Sequence, residues 1–130
     1  MNKKVLIVSQ DTSLITTLKF EFESQGATVR SCTSKALPEE ALSWFPQVVI
    51  VDAGLPGQES LKLCRTLKHS KQLCTISLIY LGEVMNVKAM SAAYKAGIDF
   101  YVLKQGEDYR ALHLAAEAVF RLEAQAITAA

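Results

Sequence analysis

A doubly wound α/β domain is the fold this sequence predicts, and two patterns predict it. The first is a set of short apolar runs with no alternation, at residues 5–8, 48–51 and 76–81. Such a run is a strand covered on both faces, as in a parallel sheet. The second is the amphipathic segment that separates each run from the next. Strand and helix alternate as βαβαβαβαβα, which implies a parallel sheet with helices on both faces.

The elements follow in order. Val5-Leu6-Ile7-Val8 is the first strand, and Ser9-Gln10-Asp11-Thr12-Ser13 is the polar turn after it. Asp11, Thr12 or Ser13 can cap a helix whose apolar face is Leu14, Leu18 and Phe22. Gly26 stops that helix as its C′ residue. Residues 27–32 form a shorter, more polar strand suited to a sheet edge. Pro38 with Glu39 and Glu40 starts a second helix, and Pro46 ends it after about two turns.

Then comes the stretch around which the rest is arranged. Val48-Val49-Ile50-Val51 runs into Asp52, and Gly54, Pro56 and Gly57 turn the chain at once. Asp52 therefore stands at the carboxyl end of a buried strand, where ligands sit in open α/β sheets. Leu61, Cys64 and Leu67 face a third helix inward. Residues 76–81 are the fourth strand, and Val87, Met90, Ala93 and Tyr94 mark a fourth helix stopped by Gly97. Residues 99–103 are the fifth strand, ending at Lys104. Residues 105–108 cap a last helix with Leu112, Ala116, Val119 and Phe120 inward.

Composition narrows the function. The chain has 130 residues, 50% of them hydrophobic, and a net charge of +1. That suits one domain with a proper core and no basic nucleic-acid footprint. No apolar run is long enough for a membrane span. Cys32, Cys64 and Cys74 are odd in number and lack metal-ligand spacing, so they are expected to be small buried hydrophobes in a reduced, cytoplasmic setting. His69 and His113 are expected at the surface.

In the strand order 2-1-3-4-5 of flavodoxin-like sheets, strands one and three are neighbours. The end of the first strand then lies beside Asp52, and Lys104 approaches from the far side. Asp52 and Lys104 are expected to pair and to balance the resting pocket.

With those residues placed, the chain resembles the receiver domain of two-component response regulators from about Lys3 to Leu122. The resemblance rests on Val48-Val49-Ile50-Val51-Asp52, on Leu55-Pro56-Gly57, and on Ala96-Gly97-Ile98-Asp99-Phe100-Tyr101-Val102-Leu103-Lys104. It implies that Asp52 is the phosphoacceptor, that Lys104 contacts the phosphoryl group, and that Tyr101 is a switch aromatic. It implies a histidine kinase or other signalling protein as partner, a bacterial phosphorelay, and no enzymatic activity of the domain's own. Residues 1–122 would be the receiver domain. Residues 123–130 would extend the last helix or link to an output domain.

The departures concern the phosphorylation machinery. Ser9 and Gln10 occupy the places of the family's Mg²⁺-binding acidic pair, and only the following Asp11 is a possible residual acid. Gly82 stands where the family has a hydroxyl residue. Gln105 replaces a proline in a cis peptide, a bond that costs about 2.5–4 kcal/mol without proline. Ser60 replaces a smaller residue. Mg²⁺ held through Asp52 is therefore expected to be weak or absent, because Mg²⁺ sites draw on carboxylates. The expectation is a phosphorylation-impaired interaction module with no direct nucleic-acid or membrane contact. A homodimer through the last helix and fifth strand is possible on this reading. The expected partner surface is the fourth helix, fifth strand and fifth helix, near Tyr101, Tyr109 and Phe120.

Three alternatives remain open. One is a working aspartyl-phosphate receiver with weak metal dependence. Another is a flavodoxin-like cofactor binder using the polar turn at residues 9–13, which lacks the glycines of a phosphate cradle. The third is a hydrolase with Asp52 as nucleophile, which would need a second carboxylate.

Overall fold

The computed structural model describes residues 3–56, 58–104, 106 and 108–129. The strands are β1 (Lys4–Val8), β2 (Thr28–Cys32), β3 (Val48–Asp52), β4 (Ser77–Gly82) and β5 (Phe100–Leu103). The helices are α1 (Thr12–Ser24), α2 (Leu37–Trp44), α3 (Glu59–His69), α4 (Val87–Lys95) and α5 (Arg110–Ala129). All pairings are parallel and the sheet order is β2-β1-β3-β4-β5, as the sequence predicts. Strand ends differ by a residue: Ile76 and Asp99 precede their strands, and Gly82 closes β4.

Alternation along each strand builds two cores. Val48 and Ile50 join Leu14, Leu18 and Phe22 of α1 and Leu112, Ala116 and Val119 of α5 on one face. Val49 and Val51 join Leu37, Ala41 and Trp44 of α2, Cys64 and Leu67 of α3, and Ala93 of α4 on the other. Every residue of β3 is buried, Asp52 included. At about 25 cal/mol per Å² of buried apolar surface, this double covering is the main force holding the sheet.

Local chemistry sets the helix ends. Asp11 caps α1 by accepting the Leu14 N–H at 3.1 Å. Gly26 and Gly97 follow α1 and α4 with φ of 89° and 104°, the left-handed geometry glycine adopts without strain. α2 stops differently. Phe45, not a glycine, takes φ 54° and ψ 67°, and its N–H donates to the Ala41 carbonyl at 2.8 Å. Pro46 follows it and is buried. α5 continues through the segment expected as an extension, to Ala129.

Several expectations about individual residues change. His113 is not a surface residue: its ring packs on Phe22, and Nε2 lies 2.6 Å from Glu21 Oε1. It holds α5 to α1. His69 is exposed, as expected. Only Cys64 is a buried cysteine; Cys32 is half-buried and Cys74 exposed. Phe120, on the inner face of α5, and Tyr109, just before that helix, belong to the core and not to a partner surface. On α4 only Ala93 is buried, while Val87 is 85% exposed. The apolar period of that helix thus points largely into solvent. Among the described residues no helix is long and apolar enough to cross a membrane.

Candidate functional site

Register assembles the site. Val8 pairs with Val51 across β1 and β3, so the next residues, Ser9 and Asp52, emerge side by side. Asp52 in turn pairs with Leu81, and Gly82 with Leu103. Lys104 leaves β5 with its N–H on the Gly82 carbonyl at 2.8 Å. Three strand ends therefore converge around one carboxylate.

That carboxylate is 3% exposed and well supplied with partners. Ser9 Oγ donates to Asp52 Oδ2 at 2.7 Å. The Gly54 N–H donates to Oδ1 at 2.9 Å, closing a tight turn. Lys104 Nζ lies 3.6 Å from the same Oδ1. Ser60, at the start of α3, donates to the Asp52 backbone carbonyl at 2.8 Å and fixes the strand end to the helix. A buried ionised carboxylate is costly without such partners, and here each oxygen has at least one.

Asp11 alters the expected balance. Its Oδ1 caps α1, and its Oδ2 lies 3.8 Å from Lys104 Nζ. Lys104 thus faces two carboxylates, not Asp52 alone, because the cap and the ion pair use different oxygens. Glu83 adds a third acid at the rim. A methyl group placed on Gly54 would lie 3.0 Å from Glu83 Oε1 and 3.3 Å from Asp52 Oδ1. Neither Glu83 nor the Ser60 bond is foreseen from the sequence. Glu83 looks there like an ordinary turn residue, and Ser60 shows only as a small residue eight positions on. The Gly54 N–H bond was not foreseen either, although an aspartate two residues before a glycine favours such a turn.

Gln10 is exposed, and of the two altered acidic positions it is Ser9 that hydrogen-bonds to Asp52. Gly82 is buried at the end of β4 and brings no side chain to the site. Tyr101 lies one strand away with its hydroxyl donating to the Val84 carbonyl at 2.5 Å. Burial raises its pKa above the usual tyrosine value. Gln105 and Gly57 lie outside the described residues.

The donor set can be tested against Mg²⁺. Among the described residues no three carboxylates, imidazoles or thiols are grouped to hold a metal ion. Asp52 Oδ2 accepts from the Ser9 hydroxyl, and the Lys104 ammonium lies within 4 Å of both Asp52 Oδ1 and Asp11 Oδ2. Within the turn at residues 9–13, Ser9 Oγ accepts the Asp11 N–H at 3.0 Å, and Asp11 caps α1.

No protein-family model matches the chain. Among characterised proteins, it is 29% identical over 108 residues to the alkaline phosphatase synthesis transcriptional regulatory protein PhoP of Bacillus subtilis, covering 80% of this chain and 43% of that one. It is 31% identical over 101 residues to the aerobic respiration control protein ArcA of Escherichia coli, covering 77% and 41% respectively. The chain spans less than half the length of these relatives. Among solved structures, a CheY-like response regulator receiver domain protein from Methanospirillum hungatei superposes with a TM-score of 0.80 at 21% identity, covering 96% of this chain and 99% of that one. That last likeness is one of fold.

Proposed function

We propose that this chain, a response-regulator receiver domain by fold and by sequence similarity, serves as a protein-interaction module whose Asp52 accepts a phosphoryl group poorly or not at all. The observation that carries this reading is the 2.7 Å hydrogen bond from Ser9 to Asp52 Oδ2. It puts a neutral hydroxyl where receiver domains generally present a metal-binding acid to assist phosphorylation. Three further features agree. Both Asp52 oxygens already accept hydrogen bonds, which lowers their readiness to attack phosphorus. Lys104 answers Asp52 and Asp11 at once, so the pocket has a cation without a metal. Gly82 lacks the hydroxyl that would meet a phosphoryl oxygen.

On this reading the domain receives or binds and catalyses nothing itself. Its partner is a histidine kinase or another signalling protein, met in the cytoplasm, or a second copy of the chain through α5 and β5. The exposed apolar groups Val84, Met85, Val87 and Tyr94 support a partner surface along α4 and the loop before it. A second reading keeps phosphorylation with weak metal dependence. Asp11 favours it, since it places a second carboxylate at the pocket.

The test is incubation with a small phosphodonor, with and without Mg²⁺, followed by intact mass. The proposal expects little or no phosphoryl adduct and little effect of Mg²⁺. Full conversion that depends on Mg²⁺ and is abolished by Asp52→Asn would replace it with the second reading.

A further inference from the structure

The charges of this chain nearly cancel as a whole, but not locally. No aspartate or glutamate occurs from Ser60 to Gly82, while Lys62, Arg65, Lys68 and Lys71 all fall in that stretch. Lys62, Arg65 and Lys68 belong to α3. Lys68 is answered: its ammonium lies 2.9 Å from Asp99 Oδ2 and also donates to the Ile76 carbonyl at 2.9 Å. Lys62, Arg65 and Lys71 are exposed, and among the described residues they form no ion pair. Helical spacing sets Lys62, Arg65 and exposed His69 on one outward face of α3. Like charges a turn apart repel one another. An incoming anionic group relieves that repulsion, and the summed field of such a patch attracts it.

Beside this face lies a groove of about 190 Å³, between α3 and the loop that joins β2 to α2. Ser34 and Lys35 line it from the loop, and Glu59, Lys62, Leu63 and Thr66 line it from the helix. Its one lining acid is already engaged. Ser34 Oγ donates to Glu59 Oε2 at 2.9 Å, which ties the loop to the first turn of α3. Lys35 is exposed and, like Lys62, forms no ion pair among the described residues. Each wall of the groove thus carries an unanswered ammonium group. Leu63, half-buried against the core under α2 and α3, adds an apolar lining.

We propose that this groove docks an acidic, extended segment of a partner protein, whose carboxylates answer Lys35 and Lys62 and whose apolar side chain covers Leu63. A small inorganic anion would meet the two lysines but leave Leu63 uncovered. A segment with acids on either side of an apolar residue meets all three. Arg65 and His69, further round and along α3, extend the attraction past the groove itself. The site lies apart from the exposed apolar groups of α4 and its preceding loop. The proposal rests on the reading of this domain as an interaction module, and not on how well Asp52 accepts a phosphoryl group.

The experiment uses the full chain and a fluorescein-labelled peptide in which glutamates flank a central leucine. Binding is titrated by fluorescence polarisation at low salt, and amide resonances are followed in parallel. Saturable binding is expected, with shifts at the amides of Lys35, Lys62, Leu63 and Thr66. It should weaken as salt is raised, since ions screen exposed charges beyond about 10 Å at 0.1 M. Lys62→Glu and Lys35→Glu should each weaken it about tenfold or more, because an attraction becomes a repulsion at close range. Lys19→Glu makes the same change of charge on α1, outside the groove, and should alter affinity by less than about twofold. The peptide with glutamine in place of glutamate should not bind. All three lysines are exposed, and an amide pattern unchanged elsewhere shows that each variant is folded. Undiminished affinity in either groove variant, or equal binding of the glutamine peptide, overturns the proposal. So does an equal loss in Lys19→Glu, which would mean diffuse attraction. Tighter saturable binding of oligothymidylate at the same amides would assign the face to nucleic acid and overturn the protein partner. The phosphodonor assay reads Asp52 and the peptide titration reads α3, so failure of the functional reading and failure of the groove are seen separately.

Discussion

Ser9 Oγ lies 2.7 Å from Asp52 Oδ2, contributed by the strand next to the one that carries the aspartate. Both groups are buried, so the bond is charge-assisted and shielded from water. Removing the hydroxyl leaves a carboxylate oxygen without that donor. Ser9→Ala should therefore cost about 1.5–3 kcal/mol of stability, the range for hydrogen bonds to charged groups. Ser9→Asp should cost more in metal-free buffer, since two carboxylates would then sit side by side. Mg²⁺ should raise the melting temperature of Ser9→Asp, alone or with Gln10→Asp, because it would bind the folded state only. Thermal melting with and without millimolar Mg²⁺ checks this. An equal Mg²⁺-induced rise in the unaltered protein would contradict the proposal that its metal binding is weak or absent.

Lys104 stands between Asp52 at 3.6 Å and Asp11 at 3.8 Å. Neither distance is that of a tight hydrogen-bonded pair, and Asp11 is half exposed. The expected cost of Lys104→Met at pH 7 is accordingly modest, about 1–2 kcal/mol, and smaller at high salt. In an Asp52→Asn background the same substitution should cost less, because one of the two charges it answers is gone. Chemical denaturation of the four proteins in this cycle measures the coupling directly. Strictly additive losses would mean that the Lys104–Asp52 proximity contributes nothing.

The sheet and its order were legible because burial on both faces leaves a pattern in one strand at a time. Val48 to Val51 can be read without knowing what covers them. The site was half legible for a related reason. Asp52, Lys104 and Ser9 sit at strand ends, and strand order with register places them. Glu83 and the second oxygen of Asp11 depend on how loops fold over those ends, which no periodicity encodes. His113 was missed because its polar helical neighbours suggested solvent, while its partner Glu21 comes from another helix. Helical phase set Phe120 inward, as found, while the expected partner surface near Tyr109 and Phe120 followed their aromatic character and is not borne out. Phe120 falls one turn after Ala116 on the buried face.

Phe45 stores strain that a substitution can release. It is the only described non-glycine residue with positive φ, at 54°, and its side chain is 50% exposed. A left-handed residue with a side chain costs about 1–2 kcal/mol, and glycine returns roughly 0.5–1 kcal/mol of that as unfolded-state entropy. Phe45→Gly should thus stabilise the fold by several tenths to about 1 kcal/mol. Denaturant midpoints of the two proteins provide the check. A destabilised variant would mean that the exposed ring contributes packing that outweighs the strain.

Burial sets an alkaline limit on stability. Cys64 is pushed up to about 12 and Cys32 to about 11, and Tyr80 likewise to about 12, in each case chiefly by desolvation. Each raised value favours the neutral form in the folded state. The associated stability is complete below the unfolded values of 9.0 for cysteine and 10.0 for tyrosine. It is lost as pH rises through the folded values, since the unfolded chain gives up its protons first. Urea midpoints should hold from pH 7 to 9 and fall above that, less steeply in Cys64→Ala. A thiol reagent at pH 8 should label exposed Cys74 at once and Cys64 only on unfolding. Fast labelling of Cys64 in the native protein would refute its burial.

The partner surface can be located by charge. With Tyr109 and Phe120 in the core, two sets of exposed apolar groups lie on or beside α4 and α5. Val84, Met85, Val87 and Tyr94 belong to α4 and its preceding loop, and Leu114 and Leu122 to α5, at 71% and 63% exposure. An aspartate at an exposed position away from packing changes stability by about 0.5 kcal/mol or less, so folding is not confounded. At a desolvated contact the same charge is costly. Val87→Asp should weaken binding to a signalling partner by about tenfold or more, the loss of one anchoring side chain. Leu122→Asp should act instead on self-association, if copies pair through α5 and β5. Sedimentation of each variant across a concentration series, beside a binding titration with a candidate kinase, separates the two sets. Association that survives both substitutions unchanged would point to another exposed apolar group, such as Phe20 of α1, which is 74% exposed.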